Sequence, residues 1–116
     1  GDFVLRVGIR YATSPGAGTG FGPDWVTRGG FWVWQDYNGF SAQVGDLSVS
    51  LDRHDLNYHV FEWRYIGGTY SLTVDGESKG TSASSFRPTS IFFGHPPYGS
   101  STWTTQEIDF VHIEPL

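Results

Sequence analysis

The chain alternates apolar and polar residues with a period of two through most of its length. In the segment 3–11 every odd position is apolar, Arg6, Gly8 and Arg10 lie between those positions, and Val4 is the exception. This alternation predicts a β-strand that is buried on one face. No segment keeps a period of 3.6 over ten residues, so we predict no substantial helix.

Turn signals separate the alternating segments from one another. Asn38-Gly39, Gly67-Gly68 and Asp75-Gly76 are typical of tight hairpin turns, and the glycine-rich and proline-rich segment 14–24 predicts a long surface loop. A set of about eight short strands joined by such turns predicts an all-β, antiparallel sandwich or barrel. The predicted strands are 3–11, 30–35, 40–44, 47–51, 58–66, 70–74, 91–94 and 108–113.

Composition narrows the class of protein. The 116 residues fit one domain, 1–116. Aromatic residues make up 17% of the chain and charged residues only 16%, and this composition predicts a packed core. A net charge of −5 with scattered arginines argues against a nucleic-acid partner, and no apolar stretch is long enough for a membrane span. Because Cys is absent, disulfides, thiolate metal sites and cysteine nucleophiles are excluded.

One segment resembles a known superfamily. The run HDLNYHVFEWRYIGGTYSLTVDG (54–76) is similar to two paired strands of concanavalin A-like lectin/glucanase domains, which include laminin G-like modules and family 16 glycoside hydrolases. The opening DFVLRVGIRY and the segments 90–94 and 107–115 resemble other strands of the same superfamily. The resemblance implies a jelly-roll β-sandwich. Its matching residues are His59, Phe61, Glu62, Trp63, Val74, Asp75 and Gly76.

The catalytic motif of the glucanase members is missing. Those enzymes place three acids at alternating positions of one strand, since retaining hydrolysis needs two carboxyls about 5 to 5.5 Å apart. Glu62 is the first glutamate of this chain and no such triplet surrounds it. We therefore favour a non-catalytic protein. The alternative is a glycoside hydrolase or polysaccharide lyase, in which Glu62 would be the first carboxylate to test for a catalytic role.

Two tryptophans offer a surface for sugars. Trp32 and Trp34 share one face of a predicted strand, and Phe31 and Val33 share the other. Because the purely apolar pair is better suited to the core, we predict that the two indoles are exposed and that sugar rings stack on them. The alternative is that both tryptophans fill the core.

Further candidates lie in turns and loops. Polar residues that can hydrogen-bond to a ligand follow the predicted strand that contains Trp32 and Trp34. Large aromatic residues in loops either bind a ligand or cover the open end of the sandwich. The predicted carbohydrate-binding residues are Trp25, Trp32, Trp34, Asp36, Tyr37, Asn38, Tyr98 and Trp103.

The resemblance also implies a structural calcium ion. Asp109, in EIDFV, matches the position of the superfamily's calcium ligand in the last strand, and Asp2 is its partner if the terminal strands are neighbours. Ca²⁺ is bound by hard oxygen ligands of this kind. The alternative is that such an aspartate only pins the chain end by hydrogen bonds.

Together these patterns predict a lectin-like module that binds a poly- or oligosaccharide by aromatic stacking and hydrogen bonds. The chain begins almost inside a strand and without Met, so we expect a domain of a larger, secreted bacterial protein. A second alternative from another class is a structural sandwich that contacts protein partners or spaces neighbouring domains.

Overall fold

A computed structural model describes residues 1–11, 19–23, 30–36, 39–51, 57–87, 90–94 and 106–116. These residues form ten strands and no helix, so they contain no helix able to span a membrane. The strands are β1 (Phe3–Tyr11), β2 (Thr19–Gly22), β3 (Gly30–Asp36), β4 (Gly39–Gly45), β5 (Leu47–Ser50), β6 (His59–Ile66), β7 (Thr69–Val74), β8 (Glu77–Ala83), β9 (Phe92–Gly94) and β10 (Gln106–Pro115).

The strands form two five-stranded sheets that pack face to face. The first sheet has the order β10-β1-β6-β7-β8 and the second has the order β5-β4-β3-β2-β9. Every pairing is antiparallel. The prediction of an all-β antiparallel sandwich without a substantial helix is confirmed, with two strands more than the sequence pattern indicated.

Both additional strands lack the apolar alternation that marks the others. β2 lies within the predicted loop 14–24, so that prediction is wrong for its four residues. β2 pairs with β3 and β9, and its residue Phe21 is fully buried in the core. Among the described strands, β8 pairs only with β7, at the edge of the first sheet. Most side chains of ESKGTSA face solvent, and none of them is large and apolar.

The core joins the inner faces of the two sheets through aromatic contacts. Phe21 of the second sheet contacts two rings of the first sheet, Phe61 and Trp63, in edge-to-face geometry. The ring centroids lie 5.8 and 5.7 Å apart, respectively. This is a favoured aromatic geometry. The buried cluster comprises Leu5, Val7, Ile9, Phe21, Phe31, Val33, Ala42, Val44, Phe61, Trp63, Tyr65, Tyr70 and Leu72.

Two of the predicted hairpin turns are observed directly. Gly67 and Gly68 have φ of 57° and 81°, and Asp75 and Gly76 have φ of 53° and 84°. Positive φ at both central residues is the geometry of a type I′ turn, which matches the twist of the flanking strands. The pairing of β3 with β4 confirms a third hairpin, although Asn38 lies outside the described residues.

The burial of Tyr70 predicts that the fold loses stability at alkaline pH. Its side chain is fully buried, its hydroxyl donates to the carbonyl oxygen of Phe86 at 2.8 Å, and burial raises its pKa from 10.0 to about 12. The unfolded chain then loses this proton before the folded chain does. We expect the free energy of unfolding to fall as pH rises from 10.0 to about 12.

Urea unfolding at a series of alkaline pH values measures this effect. The matched variant Tyr70→Phe is expected to lose this part of the pH dependence. If the free energy of unfolding fell equally steeply with pH in both proteins, the role of Tyr70 would be contradicted.

Candidate functional site

Trp32 and Trp34 lie on the outer face of the second sheet. Their strand neighbours Phe31 and Val33 belong to the buried core, so the predicted division of the two faces is confirmed. The two indole rings are nearly parallel, with an interplanar angle of 10° and centroids 6.1 Å apart. Because Trp34 is only half-buried, the alternative that both tryptophans fill the core is wrong for Trp34.

The prediction that both indoles are exposed fails for Trp32, whose relative exposure is only 4%. On the neighbouring strand, Gly22 has no side chain beside this indole. A Cβ at Gly22 would lie 2.7 Å from Cδ1 of Trp32, so the glycine leaves the space that the indole occupies. Trp34 is half-buried and is the indole with surface left for a ligand.

Small residues flank Trp34 on both sides. The strand register places Ser41 of β4 and Gly20 of β2 beside it, and Ser50 of β5 lies next to Ser41. In the adjacent row, Gln43 lies beside Trp32. We call this surface the tryptophan face, and its described members are Gly20, Gly22, Trp32, Trp34, Ser41, Gln43, Ser48, Ser50, Phe92 and Gly94.

The chemistry of the tryptophan face is uncharged. Its described members offer aromatic surface, hydroxyls and one amide, and none of them is ionisable. The Gln43 amide is held in place because its Nε2 donates to the carbonyl oxygen of Gly45 at 3.1 Å. Such a surface can stack on an apolar ring face while it donates hydrogen bonds to hydroxyls and accepts them.

Most of the other predicted binding residues cannot be placed. Asp36 ends β3, where it pairs with Gly39, but its side chain lies outside the described residues. The residues Trp25, Tyr37, Asn38, Tyr98 and Trp103 also lie outside the described residues.

The sequence reasoning missed the polar half of the face. Ser41, Gln43, Ser48 and Ser50 alternate with apolar residues along β4 and β5, so period two already assigned them to the solvent side. Their position beside the tryptophans follows from the β3–β4 hairpin register. No local signal in the sequence indicates that Gly22 makes room for Trp32.

Glu62 lies on the other side of the sandwich, on the outer face of the first sheet. Arg6 Nε donates to its Oε2 at 2.6 Å and Arg64 Nε donates to its Oε1 at 2.9 Å. Burial raises the pKa of Glu62, but the hydrogen bonds from both arginines outweigh burial and leave the pKa below its ordinary value. Glu62 is therefore ionised at neutral pH with both oxygens engaged, which does not suit a general acid.

The two predicted calcium ligands do not share a site. Asp2 precedes the Phe3–Pro115 pair, whereas Asp109 lies at the irregularity near the Ile9–Ile108 pair, at the other end of the same ladder. Seven residues of strand separate them, or roughly 20 Å. The expected calcium site built from both carboxylates is therefore wrong, because one ion cannot contact both.

Asp2 instead fulfils the alternative interpretation and pins the chain end. Its Oδ1 accepts a hydrogen bond from the Gly67 amide at 3.1 Å, and its carbonyl oxygen accepts one from the Leu116 amide at 2.9 Å. Asp109 is exposed. Within the described part of the chain, no three His, Cys, Asp or Glu side chains are grouped closely enough to hold a metal ion.

The two five-stranded sheets define an antiparallel β-sandwich. The structure is similar to the carbohydrate-binding module CBM66 from Bacillus subtilis, with a TM-score of 0.61 and 13% identity over 98% of this chain and 75% of that chain. It is also similar to sheep galectin-11 in complex with glycerol, with a TM-score of 0.56 and 9% identity over 97% of this chain and 90% of that chain. No family model and no curated protein sequence matches the chain.

Proposed function

We propose that this protein is a non-catalytic carbohydrate-binding module whose ligand lies on the tryptophan face. The observation that carries the proposal is the half-buried indole of Trp34, stacked on Trp32 and surrounded by small uncharged residues. The structural likeness to a carbohydrate-binding module supports it at the level of the fold.

Stacking on Trp34 is the central interaction. A sugar ring has a face of C–H groups that packs against an indole, and the burial of this apolar surface favours binding. Trp32 is fixed by the space above Gly22, and its parallel ring holds Trp34 in one orientation. A ring held in place before binding loses little side-chain entropy when the ligand arrives.

Hydrogen bonds from the neighbouring strands set the orientation of the sugar. The Ser41 hydroxyl lies one strand from Trp34 and the Ser50 hydroxyl lies two strands away, at about 4.8 Å per strand. Each hydroxyl can donate and accept, and Gln43 adds an amide in the next row. Sugar hydroxyls that project from a ring on Trp34 can reach these groups.

The absence of ionisable side chains among the described members of the face favours a neutral sugar. A uronate or sulfated sugar would lose hydration there without meeting an opposite charge. Binding of a neutral sugar depends little on ionic strength, since salt screens only interactions between charges.

A glycan array tests the proposal, run in Ca²⁺ and again in EDTA. We expect neutral poly- or oligosaccharides to be retained equally in both, because the tryptophan face carries no carboxylate among its described residues. Titration of the best ligand, followed by ¹H–¹⁵N NMR, should shift the indole N–H signal of Trp34. An array without any bound glycan, or shifts that leave β3 and β4 unchanged, would contradict the proposal.

A further inference from the structure

The outer face of the first sheet carries an aromatic ring of its own. Phe110 of β10 lies opposite Gly8 of β1, and a Cβ at Gly8 would overlap the Phe110 ring, with Cδ1 only 2.7 Å away. The ring therefore extends over the glycine, as the Trp32 indole does over Gly22 in the second sheet. Phe110 keeps 37% of its surface exposed, whereas Trp32 keeps 4%.

Two ion pairs border this ring, one on each side along β1. Two residues before Gly8, Arg6 Nε lies 2.6 Å from Oε2 of Glu62. Two residues after Gly8, an Arg10 guanidinium nitrogen lies 2.6 Å from Oε2 of Glu107. Alternate residues of a strand are about 6.7 Å apart, so each pair lies within reach of one ligand ring placed over Phe110.

Val60 of β6 completes the apolar floor, because it lies beside Gly8 in the register and is 37% exposed. The side chains of the two ion pairs are themselves partly exposed, from 21% at Glu62 to 44% at Glu107. We call this surface the Phe110 platform, and it comprises Arg6, Gly8, Arg10, Val60, Glu62, Glu107 and Phe110.

We propose that the Phe110 platform is a second saccharide-binding site, directed away from the tryptophan face. The C–H face of a sugar ring packs on Phe110 and Val60 while its hydroxyls donate to carboxylates and accept from guanidiniums on either side. The charges favour an uncharged ligand. Each arginine is already paired with a glutamate, so an anion would meet Glu62 and Glu107 and a cation would meet the arginines.

Two sites on opposite faces would give the protein a second capability. One chain could hold two polysaccharide strands at once, and many chains together could cross-link a polysaccharide solution. The platform is inferred from residues of the first sheet and does not depend on the role proposed for Trp34.

The platform is tested in a Trp34→Ala background, which removes the tryptophan site. The probes are soluble starch, xyloglucan, galactomannan and a fructan, titrated while ¹H–¹⁵N NMR signals are recorded. We expect residual binding with shifts at Arg6, Gly8 and Phe110. Adding Phe110→Leu, which keeps an apolar cover over Gly8 but removes the aromatic face, should weaken this binding at least tenfold.

Ile66→Leu is the matched control, since Ile66 is an exposed apolar residue of the same sheet outside the platform. It should leave the affinity unchanged. In light scattering with a long polysaccharide, the unsubstituted chain should cross-link the polymer, whereas Trp34→Ala or Phe110→Leu alone should bind without cross-linking.

The possible failures of the two proposals are distinguishable. If Trp34→Ala removes all binding and no platform signal shifts, the second site is overturned while the tryptophan site stands. If Phe110→Leu alone removes binding, the platform stands and the tryptophan site is wrong. If the NMR signals of the platform residues shifted only when a protein partner was added, the assignment of the platform to a saccharide would be overturned.

Discussion

Replacing Trp34 by alanine is expected to weaken sugar binding about 30-fold, which corresponds to about 2 kcal/mol. Trp34 is the more accessible of the two indoles of the tryptophan face, so its removal eliminates the stacking contact proposed for it. The fold should tolerate the change because Trp34 is only half-buried and projects away from the core. Isothermal titration with the best array ligand gives the affinity, and thermal unfolding gives the stability.

Trp32→Ala is the matched control on the same strand. Trp32 is 4% exposed, so its truncation should lower the free energy of unfolding by about 3 kcal/mol or more and displace Trp34 as a secondary effect. Trp34→Phe retains a smaller aromatic face and should lose less affinity than Trp34→Ala. If both alanine variants lost stability and neither lost affinity, the structural or protein-interaction alternative would be favoured.

Trp63→Ala is expected to lower the free energy of unfolding by about 3 to 5 kcal/mol, a large part of the stability of a small domain. Trp63 is fully buried and contacts Phe21, Phe31 and Phe61, whose ring centroids lie 5.7 to 6.0 Å from its own. Its Nε1 also donates to the carbonyl oxygen of Gln43 in the opposite sheet at 3.0 Å. Its truncation thus removes packing within and between the sheets.

Guanidinium unfolding of Trp63→Phe separates the two contributions. Phenylalanine keeps most of the volume but loses the hydrogen bond to Gln43, and we expect a smaller loss of about 1 to 3 kcal/mol. Ile66→Ala, at a site that is 49% exposed, should change the free energy of unfolding by about 0.5 kcal/mol or less. If Trp63→Ala lowered the free energy of unfolding by no more than Ile66→Ala does, the central role of Trp63 would be contradicted.

The sequence predicted the strands whose faces differ most in polarity. In β6 the residues Phe61, Trp63 and Tyr65 alternate with Glu62 and Arg64, and the structure buries the first three as expected. The Gly67-Gly68 and Asp75-Gly76 turns were predictable for the same reason. Strand alternation and positive φ are properties of neighbouring residues, so the local sequence contains the information.

Other features depend on residues that are distant in the chain. The glycines of β2 are typical of a loop, yet Gly22 belongs to a strand that pairs with β9, and the Trp32 indole occupies the space that a side chain there would take. The pairing of Asp2 with Asp109 in one calcium site was wrong. Only the β1–β10 register shows that the two residues lie at opposite ends of one ladder. The Phe110 platform likewise appears only once β10 lies beside β1.

By itself, then, the sequence determined the all-β class, the strand faces and the assignment of Trp32 and Trp34 to an outer face. Tertiary structure decided which of the two indoles a ligand can reach, and which polar residues surround it. The physical reason is that alternation specifies the direction of a side chain relative to its own strand, whereas its exposure depends on what the neighbouring strand places beside it. At Trp32 that neighbour is a glycine, and the indole is buried against it.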